Sequence, residues 1–173
     1  MGIKGAREIV GDQGIKGVKG EKRDSVTNPS SAVAQTNWKQ HVWTNVNDNQ
    51  DNGKITDCSF NKLQSDTAIK VSFQGNMTVY GSSQKCNRWF FKFNGNECSG
   101  MTIEAVVFSS WPSGIPNLLH HRSFEGYCEN IPQGTVRVEL WVGSCPSNTL
   151  GDAYTGWKSV SRIMIGEVSR SHS

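Results

Sequence analysis

The chain has 173 residues, with 18 lysines and arginines against 15 aspartates and glutamates, and a net charge of +3. Six basic and four acidic residues fall within residues 1–24, so the remainder, with twelve and eleven, is near neutral and offers no basic stripe to a nucleic acid. Fully apolar runs reach four residues, as in Ala105 to Phe108, whereas a membrane helix needs roughly 20, so membrane insertion is not expected.

Residues 1–23 count in threes. Glycine occupies positions 2, 5, 11, 14, 17 and 20, and the one interruption, Glu8, falls on the same grid. Only glycine fits at the crowded axis of a triple helix, so a collagen-like Gly-X-Y tract predicts a chain built to be one of three, a homotrimer. The tract has no proline in any triplet. Its charged third positions, lysines 4, 16, 19 and 22, offer surface ion pairs worth only about 0.2–1 kcal/mol each. Such a tract frays alone, so association must be supported elsewhere. A Ser-, Asn-, Thr- and Pro-containing linker follows over residues 24–36.

Residues 37–168 are expected to form one globular β head, followed by a polar tail over residues 169–173. Apolar residues alternate in successive windows: Ile69, Val71 and Phe73; Trp89, Phe91 and Phe93; Ile103, Ala105 and Val107; Val136, Val138, Leu140 and Val142; Ile163 and Ile165. Glycine-bearing turns are expected between them at Asn52-Gly53, Gln74-Gly75, Asn94-Gly95, Pro112 to Gly114, Gln133-Gly134 and Cys145 to Gly151. The fold class is therefore all-β, an antiparallel jelly-roll-like sandwich. Several strands are apolar on both faces, with Phe90 beside Trp89, Val106 and Phe108 beside Val107, and Trp141 beside Leu140. A small domain has one core, so the second greasy face predicts a subunit interface, for which Phe90, Val106, Phe108 and Trp141 are the candidates.

Five cysteines, Cys58, Cys86, Cys98, Cys128 and Cys145, stand in neither Cys-x-x-Cys nor zinc-ligand spacing. They predict two disulfides of open pairing, one thiol left over, and an oxidising compartment. Asn76-Met77-Thr78 is a glycosylation sequon, which makes Asn76 the candidate acceptor, whereas Asn28-Pro29-Ser30 is blocked by its proline. Met1-Gly2-Ile3-Lys4 does not open an apolar leader, so secretion is expected with the leader removed or not included.

Catalysis is not expected. No Gly-x-Ser-x-Gly elbow occurs, His120 and His121 are adjacent and so point to opposite faces of a strand, and the glutamates are dispersed. The run Asn47 to Gly53 offers oxygen ligands near Asp48 and Asp51, but a twelve-residue calcium loop begun at Asp48 would need its terminal glutamate where Ser59 stands. Neither a metal nor a cofactor is expected.

The segments Gly53 to Phe60, Cys86 to Gly100, Ile103 to Phe108, Val138 to Cys145 and Gly151 to Ile165 closely resemble, in order, the C-terminal head of the collagen triple helix repeat-containing protein 1 family. The resemblance runs from Trp38 to Val168, behind a short collagen tract as in that family. It implies a secreted, trimeric extracellular-matrix glycoprotein that modulates Wnt signalling through Frizzled and Ror-type receptors, affects cell migration and limits collagen matrix deposition. Matrix components are further partners it implies. The chain departs from the family at Lys22-Arg23 and at His41, where better-known members carry cysteines, and before Arg88, where only Cys86 of several cysteines is kept. The family's glycosylation site lies elsewhere than Asn76. The rival reading is a complement-type or lectin-like recognition head on a collagen stalk.

Overall fold

A computed structural model describes residues 36–81, 84–109 and 119–171. The tract over 1–23, most of the linker and the expected turn at 112–114 lie outside these residues. Ten strands are present: β1 (Trp38–Thr44), β2 (Gly53–Lys62), β3 (Thr67–Tyr80), β4 (Lys85–Phe93), β5 (Asn96–Glu97), β6 (Glu104–Ser109), β7 (His120–Cys128), β8 (Gly134–Ser144), β9 (Asp152–Thr155) and β10 (Val160–Ser169). No helix among the described residues is long and apolar enough to cross a membrane.

The strands form two antiparallel sheets. Sheet A runs β1-β10-β3-β7, with β9 also on β3; sheet B runs β2-β8-β4-β5, with β6 also on β4. The first strand lies against the last, and the chain crosses between sheets from β1 through β4, which is the connectivity of a jelly-roll-like sandwich. Period-two alternation aims Ile69, Val71, Phe73, Ile163 and Ile165 of sheet A at Trp89, Phe91, Phe93, Val138, Leu140 and Val142 of sheet B, and all are buried. Trp89 also spans the layers, its Nε1–H donating to Thr155 Oγ1 at 2.8 Å, so the largest core side chain leaves no polar atom unpaired.

One expected turn is absent. Gln74-Gly75 is interior to β3, which runs unbroken for 14 residues. Gly75 is there for space, because a Cβ would stand 2.5 Å from Ser161 Oγ and 2.7 Å from Phe73 Cζ. By contrast, Asn94 and Gly95 form the expected tight turn, with φ of 51° and 85°. The strands not anticipated are β1, β2, β5, β7 and β9, outside the alternating windows.

Side chains and disulfides fasten the two open sides of the sandwich. At one side, β1 and β2 are the edge strands of their sheets; Lys39 Nζ donates to the Ser59 carbonyl at 2.8 Å and Asn37 Nδ2 to that of Asn61 at 2.9 Å. These bonds occupy edge carbonyls that would otherwise be open to another chain. At the other side, Cys98 after β5 is bonded to Cys128 at the end of β7, joining sheet B to sheet A. Cys86 of β4 is bonded to Cys145 after β8. For loops of 30 and 59 residues, each bridge stabilises by about 3–4 kcal/mol on a chain-entropy argument.

Candidate functional site: the outer faces of the two sheets

Residues directly opposite in an antiparallel pair share a face, so the register maps the surface. On sheet B, Phe90 pairs with Trp141 on one side and Glu104 on the other, and Arg88 pairs with Gly143 and Val106. Arg88 Nη1 donates to Glu104 Oε2 at 2.9 Å and to Glu97 Oε2 at 3.2 Å, and its guanidinium carbon stands 3.9 Å from the Phe90 ring centroid. Hydrogen bonding to Glu97 comes first among the causes that raise the Arg88 pKa, and the same bond holds the Glu97 carboxyl below its ordinary value. Lys92 Nζ lies 4.0 Å from the Trp141 ring, whose Nε1–H donates to the buried Glu139 carboxylate at 2.9 Å.

These contacts change the status of the interface candidates. Phe90 is buried within its own chain, and Trp141 is partly covered by Lys92; each aromatic has a cation on it worth about 0.5–2 kcal/mol. Only Val106 and Phe108, on the edge strand β6, keep about half their surface exposed.

The outer face of sheet A was not anticipated. Its four-strand rows read Trp38–Gly166–Lys70–Tyr127, then Gln40–Met164–Ser72–Glu125, then Val42–Arg162–Gln74–Ser123. Trp38 and Tyr127 are 65 % and 58 % exposed. Lys70 pairs with Glu125 at 3.2 Å and lies over the Tyr127 ring. Next to Tyr127 is a depression of about 420 Å³ lined by Ala68, Tyr127, Glu129, Ser169 and Ser171. Exposed aromatics at the two ends of a row are separated by more than 80 residues in sequence, so no local pattern could have joined them.

The glycosylation candidate stands in the following surroundings. Asn76 lies within β3 instead of a surface loop, is partly buried, and uses Nδ2, the atom that would carry a glycan, to donate to the Trp157 carbonyl at 3.0 Å. In the polar loop before β2, Asp48 accepts from the Gln50 backbone N–H and side-chain amide, while Asp51 Oδ1 accepts from the Ala153 N–H at 2.8 Å. These carboxylates tie the loop to itself and to β9. Among the described residues, no group of three or more His, Cys, Asp or Glu side chains converges as a metal site. His120 and His121 are both exposed on β7 and pair with Met77 and Asn76 respectively, on opposite faces.

The family model described as CTHRC1, C-terminal domain, matches residues 33–165. The chain belongs to the CTHRC1 family. That family is extracellular, and the two disulfides of this CTHRC1-type head fit an oxidising compartment. Among solved structures, the head is similar to a chain of the infectious bursal disease virus VP2 subviral particle, with 7 % identity and a TM-score of 0.38 over 79 % of this chain. The matched region is 33 % of the viral chain, so the CTHRC1-type head spans about a third of its length.

Proposed function

We propose that this chain is a secreted, trimeric matrix protein of the CTHRC1 type that presents its head to Wnt proteins and to Frizzled or Ror-type receptors, modulating Wnt signalling, cell migration and collagen matrix deposition. The observation that carries this reading is the family match over residues 33–165, directly behind a Gly-X-Y register at residues 1–23. Its mode of action is display: each five-stranded sheet has an outer face that its own core does not use and that is available for protein contact.

Saturable binding of the purified full chain to an immobilised Frizzled cysteine-rich domain, with and without a Wnt protein, tests the proposal. Binding that saturates and is competed by soluble head supports it. Absence of binding to Frizzled, Ror and Wnt surfaces, together with calcium-dependent capture on a glycan array, would instead establish a lectin-like head.

A further inference from the structure

Where the end of β10 comes nearest the end of β7, the outer face of sheet A is hollow. Val168 pairs with Ala68, in the outward-facing row next to the Lys70–Tyr127 pair, and Glu129 lies two residues past Tyr127 and so on the same face. After β10 the chain reaches across this corner, where the Ser171 N–H and hydroxyl both donate to Glu129 Oε1, at 3.2 and 2.9 Å. The depression of about 420 Å³ at this corner is lined by Ala68, Tyr127, Glu129, Ser169 and Ser171.

Its walls carry an unspent acceptor. Glu129 Oε2 has no donor among the described residues, while the bonds to Oε1 fix the carboxylate in place. Those same bonds, the Ser171 hydroxyl first, hold the carboxyl below its ordinary value, so the group is charged at neutral pH. The neighbouring cations of the chain are engaged elsewhere: Lys70 Nζ pairs with Glu125 at 3.2 Å, and Arg170 Nη2 donates to the Ser65 carbonyl at 3.3 Å. Tyr127, 58 % exposed, offers a ring face of negative potential, and the buried Ala68 supplies an apolar floor. A fixed carboxylate, an aromatic face, two hydroxyls and an apolar floor together suit a flat cation on an aliphatic stem.

Sheet B shows such a set of groups with its cation in place. Arg88 sets its guanidinium carbon 3.9 Å from the Phe90 ring centroid and pairs with Glu97 and Glu104, all within one chain. On sheet A the corresponding ring and carboxylate are Tyr127 and Glu129, and among the described residues no guanidinium stacks on the one or pairs with the other. An ammonium fits less well than a guanidinium. It is a compact, strongly hydrated charge, whereas the planar fork of arginine lies flat on a ring while it donates sideways to two acceptors.

We propose that this recess binds an arginine side chain of a partner protein, its guanidinium stacked on Tyr127 and donating to Glu129 Oε2 and the Ser169 hydroxyl, its methylenes over Ala68. The assignment goes beyond the Wnt reading and does not depend on it, because it specifies the group bound and not the protein that bears it. Access is open, since β7 is an edge strand of sheet A and Tyr127, Ser169 and Ser171 are exposed. Exposure also sets the strength. A surface cation–aromatic contact with one charge-assisted hydrogen bond gives a dissociation constant on the order of 10 mM for an isolated side chain, which suits one anchor within a larger interface.

The probes are N-acetyl-arginine amide and its citrulline counterpart, a neutral urea of nearly the same shape. The full chain, labelled with carbon-13 at its alanine methyls, is titrated with each to about 100 mM at constant ionic strength, a range that spans the affinity expected of such contacts. Arginine should move the Ala68 methyl signal along a saturating curve, while those of Ala105 and Ala153, on β6 and β9, stay in place and report the intact fold. Citrulline should bind about 5-fold more weakly or worse, and N-acetyl-lysine amide about 3-fold more weakly. Glu129→Gln, which keeps an acceptor for Ser171, should weaken arginine binding about 10-fold. Ser169→Arg, which supplies a guanidinium from the chain itself, should move the Ala68 signal without ligand and block the titration. No saturating shift at Ala68, equal affinity for arginine and citrulline, or undiminished binding by Glu129→Gln overturns the site. Tighter binding of the lysine probe overturns the choice of arginine.

Discussion

The Glu167 carboxylate accepts hydrogen bonds from Asn37 Nδ2 at 2.6 Å, the Leu63 and Gln64 backbone N–H groups at 2.8 Å, and Thr67 Oγ1 at 2.5 Å, tying β10 to the start of β1 and to the β2–β3 turn. Burial alone would raise its pKa, but the four bonds outweigh it and hold the group at about 2, below the ordinary 4.5. The unfolded chain then binds the proton more readily, so the stabilisation is complete above about pH 4.5 and disappears as pH falls towards 2. Glu167→Gln should flatten the pH dependence of the urea midpoint across that window and cost about 1–3 kcal/mol at pH 7; equal slopes in both proteins would dismiss the carboxylate as the cause. Cys58 is a second residue with a measurable consequence. Burial, reinforced by Asp57 and opposed by Lys39, pushes its thiol up to about 11, and it is the free cysteine among the described residues. A disulfide reagent at pH 8 should titrate no thiol in the folded chain and one per chain in denaturant; rapid labelling of the native protein would contradict the burial.

At the scale of elements, β3 depends on a residue without a side chain. Gly75→Ala would press a methyl group on Ser161 and Phe73, both buried, and overpacking of this kind costs about 1–3 kcal/mol. A matching fall in the urea midpoint is expected, and a neutral substitution would mean that β10 yields at Ser161. The same glycine explains why part of the fold was hidden in the sequence. A glycine that starts a turn and one that makes room for a side chain of the adjacent strand look alike until the neighbour is known, and Ser161 lies 86 positions away. Strands β3, β4, β8 and β10 were legible because each has a dry face, and period two records it. Edge strands β1 and β7 were not, since their exposed margins mix His, Arg, Lys and aromatics without alternation. For the surface, Phe90 and Trp141 were rightly placed on an outer face, but Arg88 and Lys92, two residues either side of Phe90 and therefore on its own face, carried the signal that the ring was already covered.

For the whole molecule, the relevant quantity is the number of heads that act together. In the proposed trimer, three weak binding surfaces would gain apparent affinity through effective concentration, so it should hold a receptor-dense surface on the order of 10²-fold more tightly than an engineered monomer. Surface plasmon resonance at high and low receptor density, comparing wild type with a variant shown by sedimentation to be monomeric, measures it. Equal retention by the two proteins on the dense surface would mean that one head suffices.

The pairing of β1 with β10 also imposes an order in time. Synthesis delivers the Gly-X-Y register before the head, and β10 leaves the ribosome after the other described strands, so until then β1 and β3 both lack their common neighbour. Contacts this distant in sequence form slowly. The Gly-X-Y segment is thus synthesised well before the head that follows it can close. A nascent chain of this design must hold one margin each of β1 and β3 open until β10 arrives.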